Sequence, residues 1–294
     1  MRRVLLADRL ATAVLWALAL FVVAILVSII AYFVVSSIPT FSLAFLFSDP
    51  VDSGIGGILP LLWNSAYMLV LTMLLTIPIA VLGGIYMAEY AGENRFTNAI
   101  RFSQELISSV PSIVVGLFGM TLFVAGLGWG FTALGGALTL LVFNLPLLLR
   151  LSEQAIRAVP ADERAASLAL GSTQWQTIRH AVLPIAIPGI VTGIVLTAGR
   201  VFGEAAALLF TAGVATPAHY DFTFVSLDPR SPWSPFHQAT TLSVFIWNTN
   251  SEANNPQHTE VAAMSSMVLL FLVLAFNLSS RWLGGALQRR VSGL

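Results

Sequence analysis

Lysine and cysteine are both absent from the 294 residues of this chain. Without lysine there is no G-x-x-x-x-G-K-[ST] loop, which needs the ammonium group to hold the β- and γ-phosphates of a nucleotide. If the chain belongs to an ATP-driven machine, it is therefore not the subunit that hydrolyses ATP. A Schiff-base lysine is excluded on the same ground. The lack of cysteine rules out disulfides and thiolate metal sites. Charge of either sign is scarce: 10% of residues are charged, against about 25% in a soluble domain. The 14 basic residues, all Arg, balance 14 acidic ones, so no net field attracts nucleic acid. The four histidines, His180, His219, His237 and His258, show no metal-ligand spacing, and solvent exposure is their default reading.

What fills the chain instead is apolar: 57% of residues are hydrophobic and the mean hydropathy is +0.85. This is the composition of an integral membrane protein. Leu10 to Val35 carries no charge and exceeds the roughly 20 residues a helix needs to cross the hydrocarbon core. It is too long for a signal-peptide core and ends without an A-x-A-like site, so an uncleaved span is expected. A second span lies within Asn64 to Met87. Leu106 to Leu149 is uncharged and long enough for two helices, with GLGWG (Gly126 to Gly130) as the turn between them. A fifth span runs from about Ile187 to Thr211, and a sixth from Val261 to Ser280. Six helices put both termini on one side. The organisation expected is an N-terminal helix and outer loop over 1–60, a transmembrane domain over 61–284, and a tail over 285–294.

Arginine placement orients the bundle. With the N-terminus inside, the inner segments hold Arg2, Arg3, Arg9, Arg95, Arg101, Arg150, Arg157, Arg164, Arg179, Arg281, Arg289 and Arg290, and the outer ones only Arg230. The outer loop over 213–260 is rich in Pro, Ser, Asn and Trp. Within it Thr240 to Trp247 is too short to span, and reads as a re-entrant or interfacial segment.

The inner loop over 151–184 has its own local order. Pro160 breaks the preceding helix, and ERAASLAL (Glu163 to Leu170) consists of strong helix formers. Gly171 stands where a helix stop belongs, and Thr173 with Gln176 forms a capping-box pattern that opens the next helix. The result is a compact helix–turn–helix, readable either as a helical linker or as a knob that fits a groove on a partner.

This loop resembles the EAA loop of type-I ATP-binding-cassette (ABC) importer permeases. The matching stretch is Ala165, Ala166, Ser167, then Gly171, closing in Leu183 and Pro184. The motif's Glu position is Ala165, with Asp162 and Glu163 just upstream, so a salt bridge from that position is not available. Ser108 to Gly119 (SSVPSIVVGLFG), Leu145 to Pro160, Leu183 to Leu196 and Gly199 to Gly213 (GRVFGEAAALLFTAG) resemble, in the same order, the phosphate importer permease of the PstA type. The resemblance implies an all-α, six-helix permease subunit of the type-I ABC importer fold, forming one half of a phosphate channel. It implies a second, similar permease subunit, two ATPase subunits carrying ATP and Mg²⁺, and an external phosphate-binding protein as partners. No cofactor is expected on this chain, which does no chemistry itself. The setting implied is the bacterial cytoplasmic (inner) membrane, with both termini cytoplasmic. Coupling to the ATPase would run through Glu163, Ala165, Ala166, Ser167, Gly171, Trp175, Leu183 and Pro184.

Arg200 and Glu204 lie inside the fifth span. An ion at the centre of a spanning helix costs roughly 2.5–3.5 kcal/mol on insertion scales. Four residues apart on one helix, the two side chains would share a face and meet. A helical pair contributes only about 0.2–0.5 kcal/mol at a surface, so a water-filled cavity or partner helix is the expected environment. A guanidinium suits phosphate because its planar fork donates two parallel hydrogen bonds, and Glu204 would moderate that grip. Gly199 and Gly203 would form a small-residue face for close helix approach. Ser108, Ser109 and Ser112 are further candidates for lining the cavity, with hydrogen bonds to their own helix carbonyls as the alternative. Another solute on the same architecture, or a proton-coupled carrier with Glu204 as proton acceptor, are the competing readings.

Overall fold

The computed structural model describes residues 2–38, 41–49, 57–92, 94–215, 219–251 and 256–291. These form helices α1 (Arg2–Ser37), α2 (Leu43–Phe47), α3 (Leu59–Ile85), α4 (Arg95–Ser109), α5 (Ser112–Gly119), α6 (Ala133–Arg157), α7 (Ala161–Ala169), α8 (Gln174–Thr177), α9 (Leu183–Gly203), α10 (Ala206–Leu209), α11 (Leu242–Ser251) and α12 (Pro256–Val291). Wide π-turns extend α3 through Tyr86–Tyr90, extend α5 through Met120–Gly126, and join α8 to α9 through Ile178–Val182. Among the described residues there is no strand.

Five helical stretches are long and apolar enough to cross a membrane: Ala7–Ser37, Leu59–Tyr90, Ala133–Arg157, Gln174–Gly203 and Glu260–Ser280. The remaining span differs from the expected straight helix. Arg95–Ser109 and Ser112–Gly126 meet at 101°. Pro111 causes the break, since it lacks an N–H and drives Val110 to an extended backbone (φ −73°, ψ 131°). It is the residue immediately before α5. The GLGWG turn is where the sequence puts it, with Gly128 and Gly130 both at φ 68°.

The centre of the bundle is α3, α6 and α9, packed against one another. Met68, Ala80, Leu140, Leu148, Ala198 and Val201 fill the interface. A second cluster at its inner end joins Ile85, Ile156, Ile178, Val182 and Ala186. A third, of Phe45, Ile58, Leu61, Leu242 and Met264, seats α2 and α11 beside α3 and α12. Outward faces are apolar: Leu15, Phe21, Val70, Leu74 and Leu274 are exposed, as lipid-facing helix surfaces must be. α1 reaches the bundle through α12.

Candidate functional site

The fifth span is discontinuous. α9 ends at Gly203, Glu204 adopts an extended backbone (φ −76°, ψ 121°), and the one-turn α10 follows. The Glu204 carboxylate accepts the Ala207 N–H at 3.3 Å, and its own carbonyl accepts the Ser243 hydroxyl at 2.8 Å. The expected Arg200–Glu204 pair is therefore not formed. The break turns the carboxylate toward the next helix, and among the described residues neither group has an ionic partner. Arg200, half-buried in the last turn of α9, instead stacks its guanidinium on Phe143, 3.8 Å from the ring centroid. Such a contact contributes about 0.5–2 kcal/mol, and the end of a helix is where its dipole favours a cation. Phe143 lies near mid-length of α6, so Arg200 sits at mid-depth although its own helix stops there. Discontinuous helices at that depth are where transporters place solute sites.

The break is held by close packing from α5. A Cβ on Gly116 would lie 2.8 Å from Ala207 Cα, so only glycine admits the backbone of α10 at that distance. The predicted small face of Gly199 and Gly203 has no such role: Gly199 faces Asn277 at 3.6 Å and Gly203 has nothing within 4 Å. Beside the break opens a cavity of about 480 Å³, lined by Gly203, Ala205, Ser243, Trp247 and Asn250 among others.

The long loop before α11 packs over the start of α6 and the first turns of α3. Carbonyls of His237 and Pro235 accept the N–H groups of Ala133 and Leu134 at 2.8 Å, capping α6. His237 is buried, contrary to the exposure expected of it. Its Nε2 lies 3.1 Å from Asn64 Oδ1, which also accepts the Tyr220 hydroxyl at 3.0 Å, and its Nδ1 meets the Ser234 carbonyl. Burial lowers the His237 pKa, with the Ser234 carbonyl acting in the opposite direction. Burial pushes the Tyr220 phenol up to about 12, partly offset by Asn64. Trp63 and Trp233 meet edge to face, 4.5 Å between centroids, closing the cap. His180 and His219 are exposed as expected, and the side chain of His258 lies outside the described residues. Thr240 to Trp247 belongs mostly to α11, a ten-residue helix packed on α3 and α12.

At the inner end the helix–turn–helix is as the sequence reads. α7 begins after Pro160, Gly171 takes φ 83°, and Thr173 and Gln176 exchange both capping-box bonds. Glu163, Ala165 and Ala166 are exposed, Ser167 bonds Thr177 at 3.0 Å, and Leu183 and Pro184 open α9 half-buried. Leu168, Leu170 and Trp175 present apolar surface at 50%, 89% and 49% exposure. Sequence reasoning missed what anchors the loop. Arg164 pairs with Glu89 at 2.8 Å and donates to the carbonyls of Ile156, Val159 and Pro160. Gln174 reaches the Glu89 carbonyl at 2.9 Å. One guanidinium thus ties α7 to the C-terminal end of α6 and to the π-turn after α3.

The candidate serines fall elsewhere than on the break. Ser109 bonds back to the Leu106 carbonyl at 2.7 Å, and Ser112 opens α5, half-buried. Ser108 lines a separate cavity between α4 and α6.

The fold is that of a type-I ABC importer permease. Residues 80–219 match the family described as binding-protein-dependent transport system inner membrane component, and the chain belongs to that family. It is 47% identical over 290 residues, 97% of each chain, to the probable ABC transporter permease protein YqgI of Bacillus subtilis (strain 168). It is 32% identical to the phosphate transport system permease protein PstA 1 of Mycobacterium tuberculosis (strain CDC 1551 / Oshkosh), over 80% of this chain and 73% of that one. Among solved structures, a bacterial alginate ABC transporter in complex with alginate pentasaccharide-bound periplasmic protein superposes with a TM-score of 0.66 at 12% identity, covering 93% of both chains. The inward-facing MetNI methionine ABC transporter gives 0.59 at 18% identity, over 76% of this chain and 93% of that one. Family membership sets aside the proton-coupled carrier.

Proposed function

We propose that the chain is the permease subunit of an ATP-driven importer of inorganic phosphate, forming one half of the translocation pathway. The observation that carries this reading is Arg200. Its guanidinium is held at mid-depth by an aromatic face alone, and among the described residues none of its N–H donors is engaged. Stacking leaves the edges of the fork free for two oxygens of a tetrahedral anion. The PstA-type relatives supply the substrate class. The exposed surface of α7, Leu170 and Trp175 is the face offered to a partner ATPase, which brings ATP and Mg²⁺. A second permease subunit completes the pathway, and the capped outer end receives an external phosphate-binding protein. Both termini then lie in the cytoplasm of a bacterial cell.

The test is labelled-phosphate uptake in cells carrying all partner subunits, comparing wild type with Arg200→Gln, alongside ATPase activity of the purified complex. Loss of an Arg–oxyanion contact is worth about 1.5–3 kcal/mol, so uptake should fall tenfold or more while the complex assembles and hydrolyses ATP. Normal uptake would make Arg200 a structural residue and overturn the reading.

A further inference from the structure

The cavity between α4 and α6, about 330 Å³, belongs to none of the features above. It lies at the inner end of the bundle, close to the docking loop: Arg157, on its wall, donates to the Met87 carbonyl at 3.0 Å. Its walls carry three guanidiniums, of Arg101, Arg150 and Arg157, against the carboxylates of Glu105 and Glu153. Glu153 is buried and already shared, 3.1 Å from Arg101 and 2.9 Å from Arg157. Arg150 has no hydrogen-bond or ionic partner among the described residues. Gln104, also on the wall, has its Nε2 buried without a partner. A pocket with a free cationic fork, two half-satisfied ones and an unused amide donor is built to receive an anion. A cation would meet three guanidiniums at once.

Its position relative to Arg200 follows from α6. Phe143, Leu147, Arg150 and Gln154 fall at i, i+4, i+7 and i+11, one stripe of a single helix. The ring that holds Arg200 and the walls of the inner pocket are therefore on the same face, with Arg150 about 10 Å further inward. We propose that this pocket is a second oxyanion site, taking a phosphate group, one step to the cytoplasmic side of Arg200. Glu153 competes with the ligand for Arg101 and Arg157, which suits a site that must release what it binds. The phosphate group can come from free inorganic phosphate or from an anionic lipid headgroup at the inner leaflet. Only the first rests on the transport reading above.

The experiment is equilibrium binding of radiolabelled inorganic phosphate to the full-length chain in phosphatidylcholine nanodiscs, for wild type, Arg150→Gln, Arg150→Lys and Arg200→Gln, with the Arg150 variants also in the Arg200→Gln background. It needs no ATPase, so it stands or falls separately from uptake. Arg150 is exposed and unpaired, so its replacement leaves the fold intact, checked by unchanged thermal unfolding. With the site at the break removed by Arg200→Gln, phosphate binding should persist, weaken about tenfold when Arg150→Gln is added in that background, the size of one charge-assisted contact, and recover partly when Arg150→Lys is added instead. The second arm repeats the series in phosphatidylglycerol nanodiscs and measures retained lipid by native mass spectrometry. Phosphatidylglycerol retained by wild type and lost from Arg150→Gln, with free phosphate failing to bind, assigns the site to a lipid headgroup. Phosphate affinity and lipid retention both indifferent to Arg150 would overturn the proposal.

Discussion

Two regions of this molecule each hold an arginine and a glutamate in a costly place, and they resolve the cost in opposite ways. At the inner end, Arg164 and Glu89 are 75 residues apart in sequence and joined at 2.8 Å. Glu89 is mostly buried and Arg164 spends its remaining donors on helix-end carbonyls, so the cluster is saturated. At the break, Arg200 and Glu204 are four residues apart and unpaired. One stacks on an aromatic ring and the other caps a one-turn helix. The first arrangement fixes the relative position of three elements, whereas the second leaves a guanidinium with open donors. Proximity in sequence thus says little about pairing where the helix between two charges does not continue. The contrast assigns rigidity to the docking end and binding capacity to the break.

The sharpest way to break this comparison is Arg164→Ala. Removing one partner of a mostly buried pair leaves Glu89 uncompensated and takes a charged donor from three helix-end carbonyls, which should cost about 3 kcal/mol. Thermal unfolding of the purified protein in detergent reads it, and Glu89→Gln, which keeps an acceptor, should cost less. A loss no greater than that of an exposed arginine would show that the cluster is not an anchor. Next comes Gly116→Ala, whose Cβ meets the α10 backbone. Overpacking of that kind costs about 1–3 kcal/mol, while Gly203→Ala, which has open space, should leave unfolding nearly unchanged. Equal effects from the two would mean that α5 does not hold the break.

Glu204→Ala should cost about 1 kcal/mol, the worth of a helix cap. Glu204→Gln keeps an oxygen for the Ala207 N–H, so it should unfold as wild type does. If Gln were as damaging as Ala, the charge of Glu204 and not its cap would be what matters. The smallest effect is on the outer cap. Because burial lowers the His237 pKa below its ordinary 6.5, the unfolded segment takes up a proton more readily than the folded one. Stability from His237 is whole above that value and is lost as pH falls through the lowered one. Amide exchange across residues 231–240, corrected for intrinsic rate, should accelerate below about pH 6. An unchanged exchange profile down to pH 5 would show that the cap does not depend on the protonation of His237.

The inner loop was legible in the sequence because its determinants are local. Pro160, Gly171 and the Thr173–Gln176 box each act within a few residues, and each acts as expected. The spans were legible from hydropathy for the same reason. The break after Gly203 was not, since Ala205 to Phe210 is a run of good helix formers with no proline. What ends the helix there is tertiary: the hydroxyl of Ser243 on the Glu204 carbonyl and the backbone of α10 against Gly116. The burial of His237 depends on Asn64, 173 residues away, and Glu89 gives no sign in sequence that Arg164 is its partner. The bend between α4 and α5 did have a local signal in Pro111.

That bend has a consequence for the depth of the barrier. Because α4 departs at 101°, this segment crosses the bilayer only through its Ser112–Gly126 arm, at most about 22 Å long. The hydrocarbon core it must match is about 30 Å thick. Beyond Pro111 the segment turns into α4, whose Arg95, Arg101 and Glu105 suit water or headgroups better than hydrocarbon. For a charged solute, a shorter low-dielectric path means a lower barrier, since the self-energy of a charge falls with every ångström of that path removed.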